Sequence, residues 1–200
     1  MAHSSKTILA LTVTAMTVAA MAASPAAAHT GGTVGSWTSG FLHPISGIDH
    51  VVAMVAVGLW GGILRAPAIW VLPVVFPMVM AFGGALGIAG VPLPDVETGI
   101  AVSGIVLGLM VLFAVRTQLW VAGVLVAVFA IFHCHAHGAE LPGSANPLAY
   151  AAGFVIATGL LHLIGIAVGQ LYAMPRGQYV VRGAGAAIAL VGAAFLTGIA

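Results

Sequence analysis

Charged residues and cysteine are both scarce in this chain of 200 residues. Only 4% of the residues are charged and the net charge is +1, whereas soluble domains carry about 25% charged residues. The chain therefore lacks both a water-facing surface and a basic footprint for nucleic acid. Its single cysteine, Cys134, excludes an internal disulfide framework. Because 62% of the residues are hydrophobic, we exclude a soluble enzyme and a disordered tail, and we predict an all-α integral membrane protein.

Residues 1–28 have the features of a secretory signal peptide. Lys6, the only lysine, precedes an apolar run over residues 7–23, and small residues at 24–28 precede His29. A positive start, an apolar stretch and an A-x-A pattern are typical of a cleaved export signal, and an uncleaved first transmembrane helix is the alternative. Cleavage after Ala28 leaves residues 29–200 as one transmembrane transport domain. Its first residue, His29, would offer both a free amine and an imidazole to a metal ion.

The rest of the chain divides into six apolar segments joined by short polar stretches. A spanning helix needs about 20 apolar residues, and the segments that approach this length are 40–64, 68–90, 98–115, 118–136, 147–171 and 183–200. Short joints make neighbouring helices antiparallel, so we predict one bundle of six transmembrane helices. The spacing of Gly104 and Gly108 is typical of helices that pack closely in lipid.

The charges in the joints separate by sign. The first, third and fifth joints hold the four arginines, and the second and fourth hold carboxylates: Arg65, Arg116, Arg176 and Arg182 against Asp95, Glu97 and Glu140. Because positive residues favour the cytoplasmic side, we predict that odd joints lie inside and even joints outside. Both ends of the mature chain then face outward, in a multi-pass membrane protein.

Eight histidines nearly equal all the charged residues in number. In the first span, His43 precedes Pro44, a residue suited to the first turn of a helix, and Asp49 and His50 follow. A helix continuing from there would place Asp49 and His50 inside the bundle, about one and a half turns deeper. Gly47 leaves room for a neighbouring helix or an ion.

A second cluster ends the fourth span. At about 100° per residue, His133 and His137 lie on one helical face, and Glu140 lies close to His133 if the helix extends that far. His135 points elsewhere. His162 lies deeper, in the cytoplasmic half of the fifth span, where it is either a waypoint for an ion or a side chain bonded to a neighbouring helix.

Imidazoles beside carboxylates inside a membrane bundle indicate a metal site. Ionisable groups are costly there and usually functional, and this mixture suits borderline divalent ions such as nickel, cobalt and zinc. Asp49 is also placed to hold the imidazole of His50 from outside the coordination sphere. Cys134 offers either a soft ligand or a small packing residue.

Several short motifs stand together in this chain. They are His43-Pro44 with Gly47, Asp49 and His50, the run from Ala53-Met54 to Val57-Gly58-Leu59-Trp60, Phe132-His133, Ala136-His137-Gly138, Glu140-Leu141-Pro142, and Ala28-His29-Thr30. Through these motifs the sequence resembles the HupE/UreJ family of membrane nickel permeases over nearly its whole length. Cys134 departs from the glycine usual in that family.

The resemblance implies uptake of Ni²⁺, or of Co²⁺, across the bacterial inner membrane from the periplasm to the cytoplasm, for hydrogenase or urease maturation. It implies metallochaperones of those enzymes as partners and no permanent cofactor. The site residues that it carries over are His43, Asp49, His50, His133, Glu140 and His137, with His29 as the matching mature N-terminus. Because metal binding needs neutral imidazoles, we expect binding to weaken as the external pH falls below about 6.

Three other interpretations stay open. A haem-binding membrane cytochrome would use buried histidines as axial ligands, but it would place them opposite one another in facing spans. A metallohydrolase would use the spacing of His133 and His137, but Cys134 stands where H-E-x-x-H requires glutamate. A purely structural role predicts that alanine substitutions lower the protein level and not metal accumulation per molecule. The sequence has no Walker motif for ATP hydrolysis, and we predict a transporter and not an enzyme.

Overall fold

The computed structural model describes residues 33–139 and 145–199, without the side chains of residues 33, 34, 88 and 136–139. All regular elements in this part of the chain are helical, which confirms the all-α prediction for it. The α-helices are α1 (Thr33–Ser46), α2 (Ile48–Leu64), α3 (Ala68–Ile88), α4 (Val96–Leu112), α5 (Leu119–Ala139), α6 (Pro147–Gly169) and α7 (Gly177–Leu196), and a 3₁₀ turn, Gln170–Ala173, follows α6. The predicted signal peptide at 1–28, His29 and Glu140 lie outside the described residues.

The prediction of one continuous helix through the first apolar segment is wrong. α1 and α2 meet at Gly47 with a bend of 78° between them. Pro44 lies in the last turn of α1 and not in a first turn, and it lacks the backbone N–H that would continue the helical hydrogen bonds. Gly47 has an extended backbone, with φ −90° and ψ 116°. His43 therefore ends one helix, whereas Asp49 and His50 lie in the first turn of another.

Within the described residues, three helices are long and apolar enough to cross a membrane: α3, α6 with its 3₁₀ turn, and α7. The bent pair of α1 and α2 makes a fourth span if the two act together, and α4 and the part of α5 from Leu119 to His135 are shorter apolar helices of up to 17 residues. A helix of that length is about 26 Å long, close to the hydrocarbon thickness of a thin membrane, about 27 Å. The count of six spans stays a prediction.

α2 lies at the centre of the bundle and packs against α1, α3, α4, α6 and α7. Every residue from Ala56 to Ile63 is buried, as expected for a helix that is apolar on all sides. α2 and α6 approach closely because Gly58 has no side chain, and a Cβ at this position would collide with the carbonyl oxygen of His162. α4 packs on α7 in the same manner, since a Cβ on Gly108 would lie 2.5 Å from the backbone nitrogen of Ala189. This contact confirms the predicted glycine packing.

The arginines gather at one end of the bundle, where α2, α4 and α6 finish. α7 begins earlier than predicted, so Arg182 lies within this helix and not in a joint. Its Nε donates to the carbonyl oxygen of Leu112 at 2.7 Å. Arg65 lines a cavity of about 420 Å³ together with Gln170 and Tyr172. We refer to this side of the molecule as the arginine end.

Candidate metal centre

Two imidazoles meet inside the bundle, and we call His50 of α2 and His133 of α5 the imidazole pair. Nε2 of His50 lies 3.2 Å from Nδ1 of His133, and the ring planes are nearly perpendicular, at 88°. His50 is 4% exposed and His133 is fully buried. Both residues were predicted as ligands from separate motifs. The pair forms where the first turn of α2, after the bend at Gly47, meets α5.

Asp49 fixes the orientation of the first imidazole. Nδ1 of His50 donates to Oδ2 of Asp49 at 3.0 Å. Gly47 makes this contact possible, because a Cβ there would stand 2.8 Å from Oδ1 of Asp49 and 3.3 Å from Nδ1 of His50. The glycine before α2 is therefore part of the site, since any larger residue would push the carboxylate away from the ring.

Ser103 of α4 fixes the second imidazole. Its Oγ lies 2.8 Å from Nε2 of His133 and 2.6 Å from the carbonyl oxygen of Ile100. A carbonyl oxygen can only accept, so the single hydroxyl proton of Ser103 is donated to Ile100. Ser103 can then only accept from His133, which places the ring proton of His133 on Nε2.

When both imidazoles are neutral, as metal binding requires, these outer hydrogen bonds leave the two facing nitrogens without protons. A neutral imidazole carries one N–H, and each ring directs it outward, His50 to Asp49 and His133 to Ser103. Two lone pairs at 3.2 Å repel each other unless a proton or a metal ion lies between them. An ion at about 2.0–2.1 Å from each nitrogen would subtend an angle of about 99–106°, close to the values of tetrahedral and octahedral coordination. The geometry of the pair therefore fits a transition metal ion.

The other predicted residues are placed around this pair. His43 is half-buried at the end of α1, with its ring centroid 6.1 Å from those of both Tyr150 and Phe154 on α6. Nε2 of His135 hydrogen-bonds to the carbonyl oxygen of Val91 at 2.6 Å, so this side chain points away from the imidazole pair as predicted.

Cys134 is 2% exposed. A Cβ added to Gly83 of α3 would lie 3.3 Å from the Cβ of Cys134. This contact favours the interpretation of Cys134 as a small packing residue between α3 and α5.

The complete ligand set predicted from the sequence is not assembled by the described side chains. Among them, no three His, Cys, Asp or Glu groups come together in an arrangement that could hold a metal ion. His29, Glu140 and the side chain of His137 lie outside the described part. Their role as ligands, like that of His43 and His162, stays a prediction.

Aromatic rings continue from the imidazole pair deeper into the bundle. Phe76 of α3 lies with its ring centroid 6.1 Å from that of His133 and 5.4 Å from that of His162 on α6. Both Phe76 and His162 are fully buried. Sequence reasoning missed Phe76 and Ser103, because one aromatic residue or one serine in an apolar run carries no signal of its neighbours. Sequence reasoning also missed Thr158, although its spacing of four residues from His162 indicates that the two share a helical face.

Taken together, the apolar helices and the buried imidazoles define a helical membrane protein with a candidate site for a cation. The model of the family described as HupE / UreJ protein matches residues 15–195. Over 175 residues the chain is 48% identical to the protein named Protein HupE from Rhizobium leguminosarum bv. viciae, covering 88% of this chain and 92% of that protein. The chain belongs to the HupE/UreJ family, as its motifs predicted. No solved structure gives a significant match.

Proposed function

We propose that the chain carries a divalent transition metal ion, Ni²⁺ in the first place and Co²⁺ in the second, across the bacterial inner membrane into the cytoplasm. The observation that carries this proposal is the imidazole pair, whose facing nitrogens lie 3.2 Å apart while the other ring nitrogens lie against Asp49 and Ser103. Neutral imidazoles suit nickel, cobalt and zinc better than magnesium or calcium. Membership of the HupE/UreJ family supports the choice of nickel, since the resemblance implies nickel uptake.

In this proposal the imidazole pair supplies two ligands, and Asp49 and Ser103 hold the rings from outside the coordination sphere. Such outer partners fix the tautomer and orientation of a metal-binding imidazole. Water and the predicted ligands Glu140, His137 and His29 complete the coordination. The predicted topology places all three of these residues on the outer side of the membrane.

The charges give the orientation of the chain in the membrane, and uptake through it then runs from the imidazole pair to the arginine end. The arginine end is cytoplasmic by the positive-inside rule, so the ion enters from the opposite, periplasmic side, past His43. Six spans and a cleaved signal peptide at 1–28 give this orientation, with both mature ends outside. Metallochaperones for hydrogenase or urease maturation would receive the ion, and the chain would hold no permanent cofactor and catalyse no reaction.

The geometry argues against the haem interpretation. Two imidazoles on opposite sides of one iron, at about 2.0 Å each, stand about 4 Å apart. The facing nitrogens of His50 and His133 are closer than that, at 3.2 Å, and their rings are perpendicular neighbours with centroids 4.6 Å apart. The pair therefore leaves no room for a macrocycle between its members.

Uptake of radioactive nickel tests the proposal. Cells without nickel uptake of their own would express the wild-type chain, His50→Ala, Asp49→Ala or His135→Ala, with the amount of each in the membrane measured by immunoblotting. The matched control is His135→Ala, because its imidazole lies on α5 near His133 but bonds to Val91. We expect the wild type and this control to accumulate nickel and the other two variants to lose most of it. Equal accumulation by all four, or by the empty vector, would refute the proposal.

Competition with Co²⁺ and Zn²⁺ in the same assay gives the ion preference. Each competing ion is added at the same concentration. If zinc suppresses nickel uptake more strongly than cobalt does, the site is assigned to zinc.

A further inference from the structure

Two polar side chains on one face of α6 are buried without hydrogen-bond partners. Within the described part of the chain, neither Oγ1 of Thr158 nor the two ring nitrogens of His162 have a partner, and both residues are fully buried. They are four residues apart and therefore neighbours on the same helical face. We call them the orphan pair.

An arrangement of this kind is costly. Burying a hydroxyl or an imidazole without a hydrogen bond destabilises a fold, and the large majority of buried polar groups in proteins have a partner. A threonine inside a helix commonly bonds back to the carbonyl oxygen four residues earlier, and Thr158 does not. Three unsatisfied polar atoms on one helical face therefore indicate an occupant that supplies their missing partners.

One aromatic ring neighbours both the imidazole pair and the orphan pair. The ring centroid of Phe76 lies 6.1 Å from that of His133 and 5.4 Å from that of His162. Phe76 stands between Pro73 and Pro77 in α3, where missing backbone hydrogen bonds allow a helix to bend. A bend of α3 would move this ring relative to both pairs.

The orphan pair also lies on the way to the arginine end. His162 is eight residues before Gln170, which lines the cavity there, or about 12 Å along α6. An ion leaving the imidazole pair in that direction meets no other unsatisfied polar side chain in the described part of the bundle.

We propose that Thr158 and His162 form a second, transient site for the divalent ion, which the ion reaches after passing Phe76. This inference rests on the proposed function. A lone pair of the His162 imidazole and the hydroxyl oxygen of Thr158 supply two ligands, and water that travels with the ion supplies the others. Such a site binds weakly, and a transport pathway needs intermediate sites that an ion can leave.

The test uses two variants that remove the polar atoms: Thr158→Val, which keeps the shape of the side chain, and His162→Phe, which keeps a ring of somewhat larger size. Because Thr158→Val replaces an unsatisfied buried group with an apolar one, we expect an equal or higher Tm of this purified variant in detergent. Nickel affinity at equilibrium, measured by titration calorimetry, should equal that of the wild type, since the imidazole pair is untouched. The maximal rate of nickel uptake into proteoliposomes should fall by about tenfold or more, as is typical when a group that supports metal binding is lost.

Two further variants provide matched controls. Thr158→Ser keeps the hydroxyl and should transport at the wild-type rate. Thr197→Val removes a hydroxyl from the exposed end of α7, where it bonds to the carbonyl oxygens of Ala193 and Ala194, and it should leave transport unchanged. If His162→Phe fails to fold, Thr158→Val against Thr158→Ser still decides the question.

The possible outcomes separate this inference from the proposed function. Maximal rates of Thr158→Val and His162→Phe within about twofold of the wild type would overturn the second site and leave the proposed function standing; the orphan pair would then hold only a buried water. If the two variants lost equilibrium affinity for nickel together with their transport rate, the orphan pair would belong to the first site. This result would overturn the arrangement of two sites. A wild-type protein that neither binds nor carries nickel would refute the proposed function and the second site with it.

Discussion

Replacing Ser103 with alanine removes the acceptor that holds the proton of His133 on Nε2. In the wild type this nitrogen lies 2.8 Å from the serine Oγ. Without the hydroxyl, the buried ring has either an unsatisfied N–H or a proton moved to Nδ1, where it bonds to Nε2 of His50. The second state is the more stable one, and it closes the gap between the two imidazoles with a proton.

The size of the effect follows from the cost of reopening that gap. An ion binding to the variant must restore the tautomer whose N–H has no partner, which costs about 1–3 kcal/mol. At about 1.36 kcal/mol for each factor of ten, KM for nickel uptake should rise by about 5- to 150-fold. The maximal rate per molecule should change little, because Ser103 acts on the tautomer of His133 and not on the path beyond it.

Initial rates of radioactive nickel uptake over a range of concentrations measure this effect. Ser103→Thr keeps the hydroxyl and should restore much of the affinity, whereas Thr197→Ala removes an exposed hydroxyl elsewhere and should match the wild type. A KM for Ser103→Ala equal to that of Thr197→Ala, in cells where His50→Ala abolishes uptake, would refute the tautomer argument. Equal protein levels in the membrane are required for the comparison.

Three further predictions test the site and its frame. Gly47→Ala should raise KM by about tenfold because its Cβ displaces the neighbouring carboxylate, while Gly123→Ala, where a Cβ meets nothing within 4 Å, should not; uptake kinetics compare the two. Gly58→Ala should lower the Tm of the purified protein by pressing on the backbone of α6, and Gly159→Ala, with open space around it, should not. KM for nickel should rise as the external pH falls, since protons compete with the ion for the imidazole nitrogens; a KM that stays constant over the whole pH range in which the protein level in the membrane is unchanged would contradict binding by imidazole.

Much of the helical frame could be predicted from the sequence, because long apolar runs between polar joints leave few alternatives in lipid. The predicted segments from Ala68 onward each correspond to one helix of the structure. The break at Gly47 could not be predicted in the same manner. Hydropathy has no direction, and Pro44 is compatible both with the first turn of a helix and, as the structure has it, with the last.

The sequence was enough to predict which residue types form the candidate site, but not which side chains contact one another there. His50 and His133 stand out because ionisable residues are rare in this chain, and their motifs placed both near the same side. Which nitrogen faces which depends on the bend before α2 and on the neighbours of α5. Ser103 becomes visible only when α4 is known to lie beside His133, because a serine in an apolar helix is common and its role is decided by the helix it faces.

The charge of Asp49 explains why an empty imidazole pair favours a cation. A carboxylate inside a membrane bundle needs a compensating charge, and the arginines of the described chain gather at the opposite end. Arg65, which follows the same helix, is sixteen residues away, or about 24 Å along its axis. A hydrogen bond from His50 does not by itself supply that charge. The gap between the two imidazoles is the nearest place where a positive charge gains from both the carboxylate and two lone pairs, and a divalent ion carries twice the charge of a proton into it.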